Sequence, residues 1–378
     1  MKNPFKYGGI ISGDAFCNRA SELSDIVSEM KSGQNLFIYS ERRIGKTSLV
    51  LRALRELPKK QYLSAYVDLW PTDGELSFAT ATAKAIVQSM STTADKMLEV
   101  SRTFFGWLMP SMTFDDEGKP VVTFGIRKED RQGSPLEEVM EAPAKIAARG
   151  KQNPVVVFDE FQQIFEYGDD TAERRLRSII QTQENVSYIF LGSRKHILRK
   201  MFLNKSHPLY RAAGHYPLGN IEVTHWLPFI RKKFFDAGKK IADTHIRSIY
   251  DFTRGHPFYT QYLCHTLWEL CEENDSVTED LITTALQTLL DRENSAYTAL
   301  WDSFSMNQRR FLRGLASEPH RIKAFEADFI GRYGLGSASS VQRVIEALSE
   351  RDIIDHDNSS PIIVDRFFRI WIRRLWGS

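Results

Sequence analysis

The first part of the chain alternates short apolar runs with segments of helical periodicity. Runs typical of strands lie at 35–40, 61–71, 155–158 and 186–192, and apolar residues recur at helical spacing at 46–57, 76–90 and 169–185. The run at 155–158 has no polar interruption, which suits a strand that helices cover on both faces. The pattern predicts an α/β fold with a parallel sheet between two helical layers.

Two short β-rich runs interrupt this alternation at 110–126. They flank Asp115, Asp116, Glu117 and Gly118, and such a polar turn between β-rich runs is a hairpin signature. We expect residues 102–133 to form a hairpin insertion in the core. Two interpretations are open for it, contact with a partner or DNA, or no role at all.

Beyond Gly219 the pattern becomes helical. Amphipathic segments at 223–238, 243–255, 256–274 and 278–294 predict a small bundle over 220–298. Three further helices, a β hairpin and a last helix over 299–378 follow the pattern of a winged helix. The predicted domains are therefore a core at 1–219, a helical domain at 220–298 and a winged-helix domain at 299–378.

A candidate phosphate-binding loop joins the first strand to the first periodic helix. Its sequence SERRIGKT, residues 40–47, matches G-x-x-x-x-G-K-[ST] except at Ser40, in the required strand, turn and helix context. Gly45 lets the backbone approach a phosphate, Lys46 neutralises the β- and γ-phosphates, and the Thr47 hydroxyl is suited to Mg²⁺. These features predict a three-layer P-loop NTPase core that binds ATP with Mg²⁺.

The other residues of this loop and the helix start complete the predicted binding site. Free backbone N–H groups at a helix start form an anion site, and the residues concerned are Arg42, Arg43, Ile44 and Ser48. Serine adopts the backbone conformation of the first loop position less easily than glycine does. We therefore expect Ser40 to bring a modest strain that affects affinity and turnover but leaves the site in place.

Two later strands end in polar residues. Asp159 and Glu160 follow the apolar run at 155–158, and open parallel sheets bind ligands at the carboxyl ends of their strands. Asp159 is expected to hold Mg²⁺ through water, and Glu160 to orient and deprotonate the attacking water. Ser193 follows the next strand and is a candidate contact for that water or for the γ-phosphate, although it also suits a simple helix cap.

Composition narrows these predictions only slightly. The chain has 378 residues, 42% hydrophobic and 26% charged, with a net charge of +2, so binding to nucleic acid requires a local basic patch. Its three cysteines have no partners at zinc spacing. No apolar run reaches the roughly 18 to 20 residues of a membrane helix. We expect a cytoplasmic protein with no membrane contact.

Five segments together carry a family resemblance. They are NPFKYGGIISGDAFCNRASEL, SERRIGKTSL, VVVFDEFQQI, the segment from FLGSRKHILRKMF to SHPLYRAAGHYPLG, and TRGHPFYTQYLCHTLWE. The chain resembles the archaeal-type ATPases of the STAND group, relatives of AAA+ and origin-recognition ATPases. The resemblance implies that the bundle at 220–298 is a lid that closes over the nucleotide.

The resemblance also implies roles for residues outside the loop. Phe16 and Arg19 match a segment beside the nucleotide base, and His256 and Pro257 match the Gly-x-Pro signature of the lid. Arg211 falls where relatives carry an arginine that contacts the γ-phosphate, in the same subunit or in a neighbour. Without the family, Phe16 suits an ordinary core position, Arg211 a surface ion pair, and the segment around His256 a turn before a helix.

Three functional hypotheses follow, and the third is regulation of an effector encoded elsewhere, because the sequence shows no nuclease, protease or other effector motif. The first is an ATP-hydrolysing switch that couples nucleotide state to a protein or DNA partner. The second is a nucleotide-gated binding module with negligible turnover.

The third helix of the predicted winged helix carries residues that suit contact with DNA, namely Ser337, Gln342 and Arg343. The segment is not basic overall, and contact with protein is equally open. The sequence also leaves open a homo-oligomer, and the aromatic and arginine-rich end favours packing of Phe367, Ile370, Trp371 and Leu375.

Overall fold

A computed structural model gives the structure of the chain and describes residues 2–90, 93–105, 107–114, 120–126, 134–149, 152–318, 322–357 and 360–376. The chain forms two compact units. The first comprises Arg19–Gly219, and the second combines the N-terminal segment up to Asn18 with the chain from Asn220 onward. Within the described ranges, no helix has both the length and the apolar character needed to cross a membrane.

The first unit consists of helices and strands that alternate along the chain. Its helices are α1 (Ala20–Lys31), α2 (Lys46–Glu56), α3 (Glu75–Met90), α4 (Ala94–Phe104), α5 (Pro135–Ala148), α6 (Thr171–Thr182) and α7 (Lys195–Leu203). Its strands are β1 (Leu36–Tyr39), β2 (Tyr62–Asp68), β3 (Leu108–Phe114), β4 (Pro120–Ile126), β5 (Asn153–Asp159), β6 (Ser187–Gly192) and β7 (Gly214–Pro217).

Five strands form a parallel sheet in the order β2-β5-β6-β1-β7. Residues 154–159 of β5 and the whole of β6 are buried, as their apolar sequences predict. The predicted α/β class with a parallel sheet is confirmed. Because all five strands run in the same direction, the loops after β1, β5 and β6 lie together at the carboxyl ends of the strands, here called the carboxyl edge of the sheet.

Aromatic side chains hold the layer of α7 against the sheet. The rings of Phe37 on β1 and Phe202 on α7 stack with centroids 4.2 Å apart. Phe161, which follows β5, packs against Phe190 on β6 at 4.6 Å. All four side chains are fully buried, and truncation of such a phenylalanine costs about 3–5 kcal/mol. This packing fixes the strand ends from which the polar loops emerge.

The strands β3 and β4 pair antiparallel, as the β-rich runs at 110–126 predict. Residues 106, 115–119 and 127–133 of the predicted insertion lie outside the described residues. Elements of this unit without a counterpart in the sequence prediction include α1, α4 and β7. The strand β7 is a sheet edge, and its residues GHYP are mostly exposed, so it has no apolar run to reveal it.

The second unit is mostly helical. Its helices are α8 (Val223–Phe235), α9 (Asp243–Thr253), α10 (Pro257–Leu270), α11 (Glu279–Asp302), α12 (Met306–Ser317), α13 (Ala327–Tyr333), α14 (Ala338–Glu350) and α15 (Arg366–Leu375). The strands β8 (Ile354–Asp357) and β9 (Ser360–Ile363) pair antiparallel between α14 and α15. Three helices, a two-stranded wing and a last helix thus follow the predicted winged-helix order.

The division into three domains stays a prediction, but two features bear on its boundaries. The N-terminal segment packs within the second unit, where Phe5 is buried and the Ala15 carbonyl accepts a hydrogen bond from Gln261 Nε2 at 3.0 Å. The helix α11 is continuous through the predicted boundary at 298/299. That boundary therefore falls inside one rigid element.

The terminal helix α15 packs through a face that differs in part from the predicted one. Phe367 and Trp371 are buried, as expected, and Ile370 is half-buried. The expectation for Leu375 is wrong, because its side chain is 47% exposed at the end of the helix. Phe368 and Ile372 are buried instead, and these positions recur at helical spacing with Phe367 and Trp371.

Candidate functional site

The loop from Ser40 to Gly45 leaves β1 and leads directly into α2 at the carboxyl edge of the sheet. Gly45 precedes the first helical residue with φ of 94°, a left-handed conformation that glycine adopts at no steric cost. Arg43 also has a positive φ, 59°. The turn is therefore formed at Arg43 and Gly45, and it leads into the start of α2, the kind of helix start at which backbone N–H groups bind anions.

Ser40 does not carry the strain expected from its sequence. It is not among the residues with positive φ, so the first loop position does not need glycine in this chain. The Ser40 side chain is buried, and its hydroxyl accepts a hydrogen bond from Lys46 Nζ at 2.9 Å and donates one to the Glu41 carbonyl at 2.9 Å. The serine thus replaces the missing glycine without a left-handed backbone and contributes an acceptor for the lysine.

Lys46 is the first residue of α2, and its side chain is almost fully buried. Its ammonium donates to Ser40 Oγ and to the Glu41 carbonyl, the second at 3.2 Å. An ammonium has three donors, and both of these contacts are made within the loop. Lys46 therefore lies folded against the loop, with its charge beside the helix start.

Thr47 and Asp159 meet at the same edge. The Thr47 hydroxyl donates to Asp159 Oδ2 at 2.6 Å, and the Tyr66 hydroxyl donates to the same oxygen at 2.7 Å. Burial, and next the Asp159 carboxylate, raise the pKa of Tyr66 well above its ordinary value, so the phenol stays a proton donor. Hydroxyl and carboxylate oxygens are the ligands that Mg²⁺ prefers. Thr47 and Asp159 thus fit the donor set predicted for the metal.

Glu160 follows Asp159 in an uncommon backbone conformation, with φ of 52°. A left-handed residue other than glycine costs on the order of 1–3 kcal/mol. The Glu160 N–H donates to Asp159 Oδ1 at 2.8 Å, which helps to hold this turn. The Glu160 carboxylate is turned toward the end of β6, where Oε2 accepts from Ser193 Oγ at 2.9 Å and also from Gln162 Nε2. The predicted base and the predicted sensor are therefore in direct contact.

The remaining loop residues occupy distinct positions. Arg42 and Arg43 are exposed, whereas Ile44 and Ser48 are buried. Ile44 anchors the loop in the core, and Ser48 lies in the first turn of α2. The structure therefore brings together Ser40, Lys46, Thr47, Asp159, Glu160 and Ser193, and it leaves the two loop arginines at the surface.

Arg211 lies away from this group. It precedes β7, whose first residue Gly214 donates to the Asn35 carbonyl just ahead of β1. This hydrogen bond lies at the amino ends of the strands. The four residues of β1 separate the amino ends from the carboxyl ends by roughly 13 Å. Arg211 is exposed and left-handed. A contact with phosphate in its own subunit is therefore not supported, and a contact in a neighbouring subunit stays a prediction.

The base-side and lid residues are placed as follows. The Arg19 guanidinium is buried and donates to Glu22 Oε1 at 2.7 Å and to the Gly219 carbonyl at 2.6 Å, contacts that tie the two ends of the first unit together. Phe16 is half-buried, His256 is buried as the cap of α10, and Pro257 starts that helix. These three belong to the second unit. The contact of Phe16 and Arg19 with a nucleotide base, and the position of His256 and Pro257 near the nucleotide, stay predictions.

Two residues of the site escaped sequence reasoning, Tyr66 and Gln162. Tyr66 lies on β2, whose alternating burial points every second side chain away from the core. The pairing of β2 with β5 in register Tyr66–Val157 and Asp68–Asp159 brings it next to Asp159. Gln162 follows Glu160 by two residues, and only the turn after β5 aims it back at the carboxylate. The available sequence signal was the same for both residues: each is a polar residue two positions from an acidic residue at the end of a strand, Tyr66 from Asp68 and Gln162 from Glu160.

This arrangement suits phosphoryl chemistry. An ammonium and a helix start lie beside a hydroxyl and a carboxylate of the kind that hold Mg²⁺, and a second carboxylate lies one residue further on. A phosphoryl-transfer site needs charge neutralisation, a metal position and a group that takes a proton. All three are present at one edge of the sheet.

Comparisons with known proteins agree with this geometry. A family model described as an ATPase domain predominantly from Archaea matches residues 16–263, and one described as a probable winged helix domain matches residues 295–374. No curated protein matches the chain significantly.

Solved structures with the same fold cover nearly the whole chain. The Walker-type ATPase PABY2304 of Pyrococcus abyssi superimposes with a TM-score of 0.65 at 15% identity, over 98% of this chain and 99% of that one. The ORC2 protein of Aeropyrum pernix, solved as ADPNP–ADP complexes, gives 0.57 at 13% identity, over 100% and 99%. These likenesses show the fold, and the family model spans well over half of the chain. The chain therefore belongs to the family of P-loop ATPase domains found predominantly in Archaea, and it carries a C-terminal winged helix domain.

Proposed function

We propose that the chain binds ATP with Mg²⁺ at the carboxyl edge of its sheet, hydrolyses it, and uses the nucleotide state to control a partner. The observation that carries this proposal is the contact of Thr47 with Asp159, with Glu160 and Ser193 joined beside it. Family membership supports nucleotide binding and ATPase chemistry.

Each residue has a role in the proposed reaction. The Lys46 ammonium and the N–H groups at the start of α2 bind the β- and γ-phosphates. Thr47 and Asp159 hold Mg²⁺, directly or through water, while Tyr66 fixes the Asp159 carboxylate. When bound, Mg²⁺ neutralises charge on the phosphate oxygens. Its contacts with two acceptors of the loop hold the Lys46 ammonium against the phosphate loop.

Glu160 is the proposed general base. It takes a proton from water as the water oxygen bonds to the γ-phosphorus. The bond between that phosphorus and the bridging oxygen breaks, and its electron pair leaves with ADP. The proton then passes from the Glu160 carboxyl to the product phosphate. Ser193 holds the same carboxylate and in this way orients the base.

Replacement of the base tests the enzymatic part of the proposal. Glu160→Gln keeps the size of the side chain but cannot take up the proton, so we expect turnover to fall by at least a hundredfold while ATP affinity is retained. Phosphate release and equilibrium binding of a fluorescent ATP analogue measure the two quantities. Glu166→Gln, an exposed carboxylate of the same turn, is the matched control and should keep wild-type turnover.

The alternative is a nucleotide-gated module with negligible turnover. No phosphate release above background by wild-type protein, with tight binding of ATP, would favour that module over the hydrolytic switch. Equal turnover of wild-type protein and Glu160→Gln would remove Glu160 from the mechanism. The two hypotheses thus give different results in one assay.

The winged helix domain is the proposed partner-binding part, and duplex DNA is the partner to test first. The Gln342 and Arg343 side chains are exposed on α14, as are Ser337 and Ser339 at its start, and a helix of this kind enters a major groove. Duplex affinity measured with an ATP analogue, with ADP and without nucleotide, at two salt concentrations, checks the coupling. Affinity that is the same in all three nucleotide conditions would contradict it.

A further inference from the structure

The environment of Gln162 indicates a role beyond packing. Its side chain is 2% exposed, and Nε2 donates to Glu160 Oε2, the oxygen that also accepts from Ser193 Oγ. Within the described part of the chain, the other amide atom, Gln162 Oε1, is buried and accepts no hydrogen bond. An unsatisfied buried acceptor costs about 1–3 kcal/mol. The amide is thus bonded on one side only, and that side faces the carboxylate.

The fold makes room for this amide. A Cβ on Gly192 would lie 2.5 Å from Gln162 Oε1 and 2.2 Å from Leu198 Cδ1, distances that side chains do not tolerate. Gly192 is the last residue of β6, directly before Ser193. The end of β6 therefore serves Glu160 in two ways. Ser193, directly after the strand, donates to the carboxylate, and the missing side chain of Gly192 leaves the space for the Gln162 amide.

The orientation of the amide follows from the charge on Glu160. Reversal of the amide would place its carbonyl oxygen against a carboxylate oxygen, which is repulsive, and would leave the Glu160 oxygen without this donor. Both donors bind the same oxygen, Oε2. Neither donor binds the other oxygen, Oε1.

We propose that Gln162 is a positioning residue that, together with Ser193, holds Glu160 Oε2 so that Oε1 takes the proton of the attacking water. This inference rests on the proposed role of Glu160 as the base. Gln162 would thus have a function in turnover, and the unpaired Oε1 in the core would be the cost in stability.

The decisive variant is Gln162→Met. Methionine has nearly the shape of glutamine but cannot donate to Glu160, and it removes the buried unpaired acceptor. We expect kcat to fall by roughly tenfold to a hundredfold, with KM for ATP unchanged and with a melting temperature equal to or above that of the wild type. Gln163→Met is the matched control, because Gln163 is half-buried and its side chain makes no hydrogen bond to the described residues.

The outcomes separate a positioning role from a structural one. Wild-type kcat in Gln162→Met, or a fall in kcat accompanied by a lower melting temperature, would overturn the proposal. Failure of the proposed function appears elsewhere, as turnover that is absent in the wild type or unchanged in Glu160→Gln.

A second measurement does not depend on turnover. The melting temperatures of Gln162→Met, Glu160→Ala and the double variant should be non-additive, because each single change removes the same hydrogen bond. Additive shifts would show that the two side chains do not interact, and they would overturn the proposal even in a protein without measurable turnover.

Discussion

Two buried carboxyl groups of the first unit, Asp159 and Glu173, are in opposite environments. Asp159 is 4% exposed and accepts hydrogen bonds from Thr47, Tyr66 and the Glu160 N–H. Glu173 on α6 is 2% exposed, and within the described residues its Oε2 accepts no hydrogen bond. Two equally buried carboxyl groups thus differ in the hydrogen bonds they accept: Asp159 accepts three, whereas Glu173 Oε2 accepts none from the described residues.

The lack of donors is accompanied by a raised pKa of Glu173. Burial, with a smaller effect of Asp170, raises the pKa of Glu173 to about 7, and Lys200 opposes this rise. His207 Nδ1 lies 3.7 Å from Glu173 Oε2, beyond hydrogen-bond length, and burial lowers the pKa of His207, which disfavours its charged form. Hydrogen-bond donors thus surround Asp159, the carboxylate proposed to hold Mg²⁺, whereas desolvation dominates at Glu173.

Of the two changes that test this comparison, removal of one donor from Asp159 should have the larger effect. Tyr66→Phe deletes a hydrogen bond to a buried carboxylate, worth about 1.5–3 kcal/mol. We expect kcat/KM for ATP to fall by roughly tenfold, with a higher Mg²⁺ concentration needed for half-maximal turnover. A titration of turnover against Mg²⁺ measures both.

Tyr62→Phe is the control on the same strand. The Tyr62 hydroxyl makes no hydrogen bond to any described residue, so its loss should leave the Mg²⁺ titration unchanged. An equal fall in both variants would mean that the phenol of Tyr66 acts through strand packing, and it would weaken the comparison with Glu173.

Replacement of the unsolvated acid should have a smaller effect, on stability alone. The folded pKa of Glu173 lies above its ordinary value of 4.5, so the native state binds a proton more tightly than the unfolded state. Wild-type stability should therefore decline as pH rises from about 4.5 to 7, by at most about 2–3 kcal/mol. Glu173→Gln cannot ionise, so its advantage over wild type should be largest above pH 7 and vanish near pH 4.5.

Denaturant unfolding at pH 5, 6, 7 and 8 measures this difference. Glu184→Gln, an exposed glutamate, should show no such trend. A Glu173→Gln variant that is less stable than wild type at pH 8 would indicate that the charged form of Glu173 has a partner, and the contrast with Asp159 would then fail.

The position of the phosphate loop could be predicted from the sequence, but the backbone conformation of Ser40 could not. Its position and the strand at 155–158 were predictable because glycine, lysine and paired carboxylates occur at spacings that few other structures require. The strain expected at Ser40 was not found, because the left-handed residues of the loop are Arg43 and Gly45. Whether a serine is strained depends on its φ, and residue identity does not give that angle.

Arg211 shows the limit of a family resemblance. The segment PLYRA suggested a phosphate contact, but the parallel register of β1 and β7 places the residue at the opposite edge of the sheet. The strand β7 itself has no apolar signal, so the edge to which Arg211 belongs was not visible in the sequence. Strand direction is a tertiary property, and here it argues against a phosphate contact within the same subunit, while a contact in a neighbouring subunit stays a prediction.

The sequence by itself determined the α/β class, the phosphate loop, the acidic strand end and the winged-helix order, because each depends on local periodicity or on a short motif. Only the tertiary structure decided which polar groups meet. Tyr66 reaches Asp159 through strand pairing, and Gln162 reaches Glu160 in the space left by Gly192. Contacts between residues distant in sequence, or across a turn, depend on register and packing, and these arise when the sheet and its helices assemble.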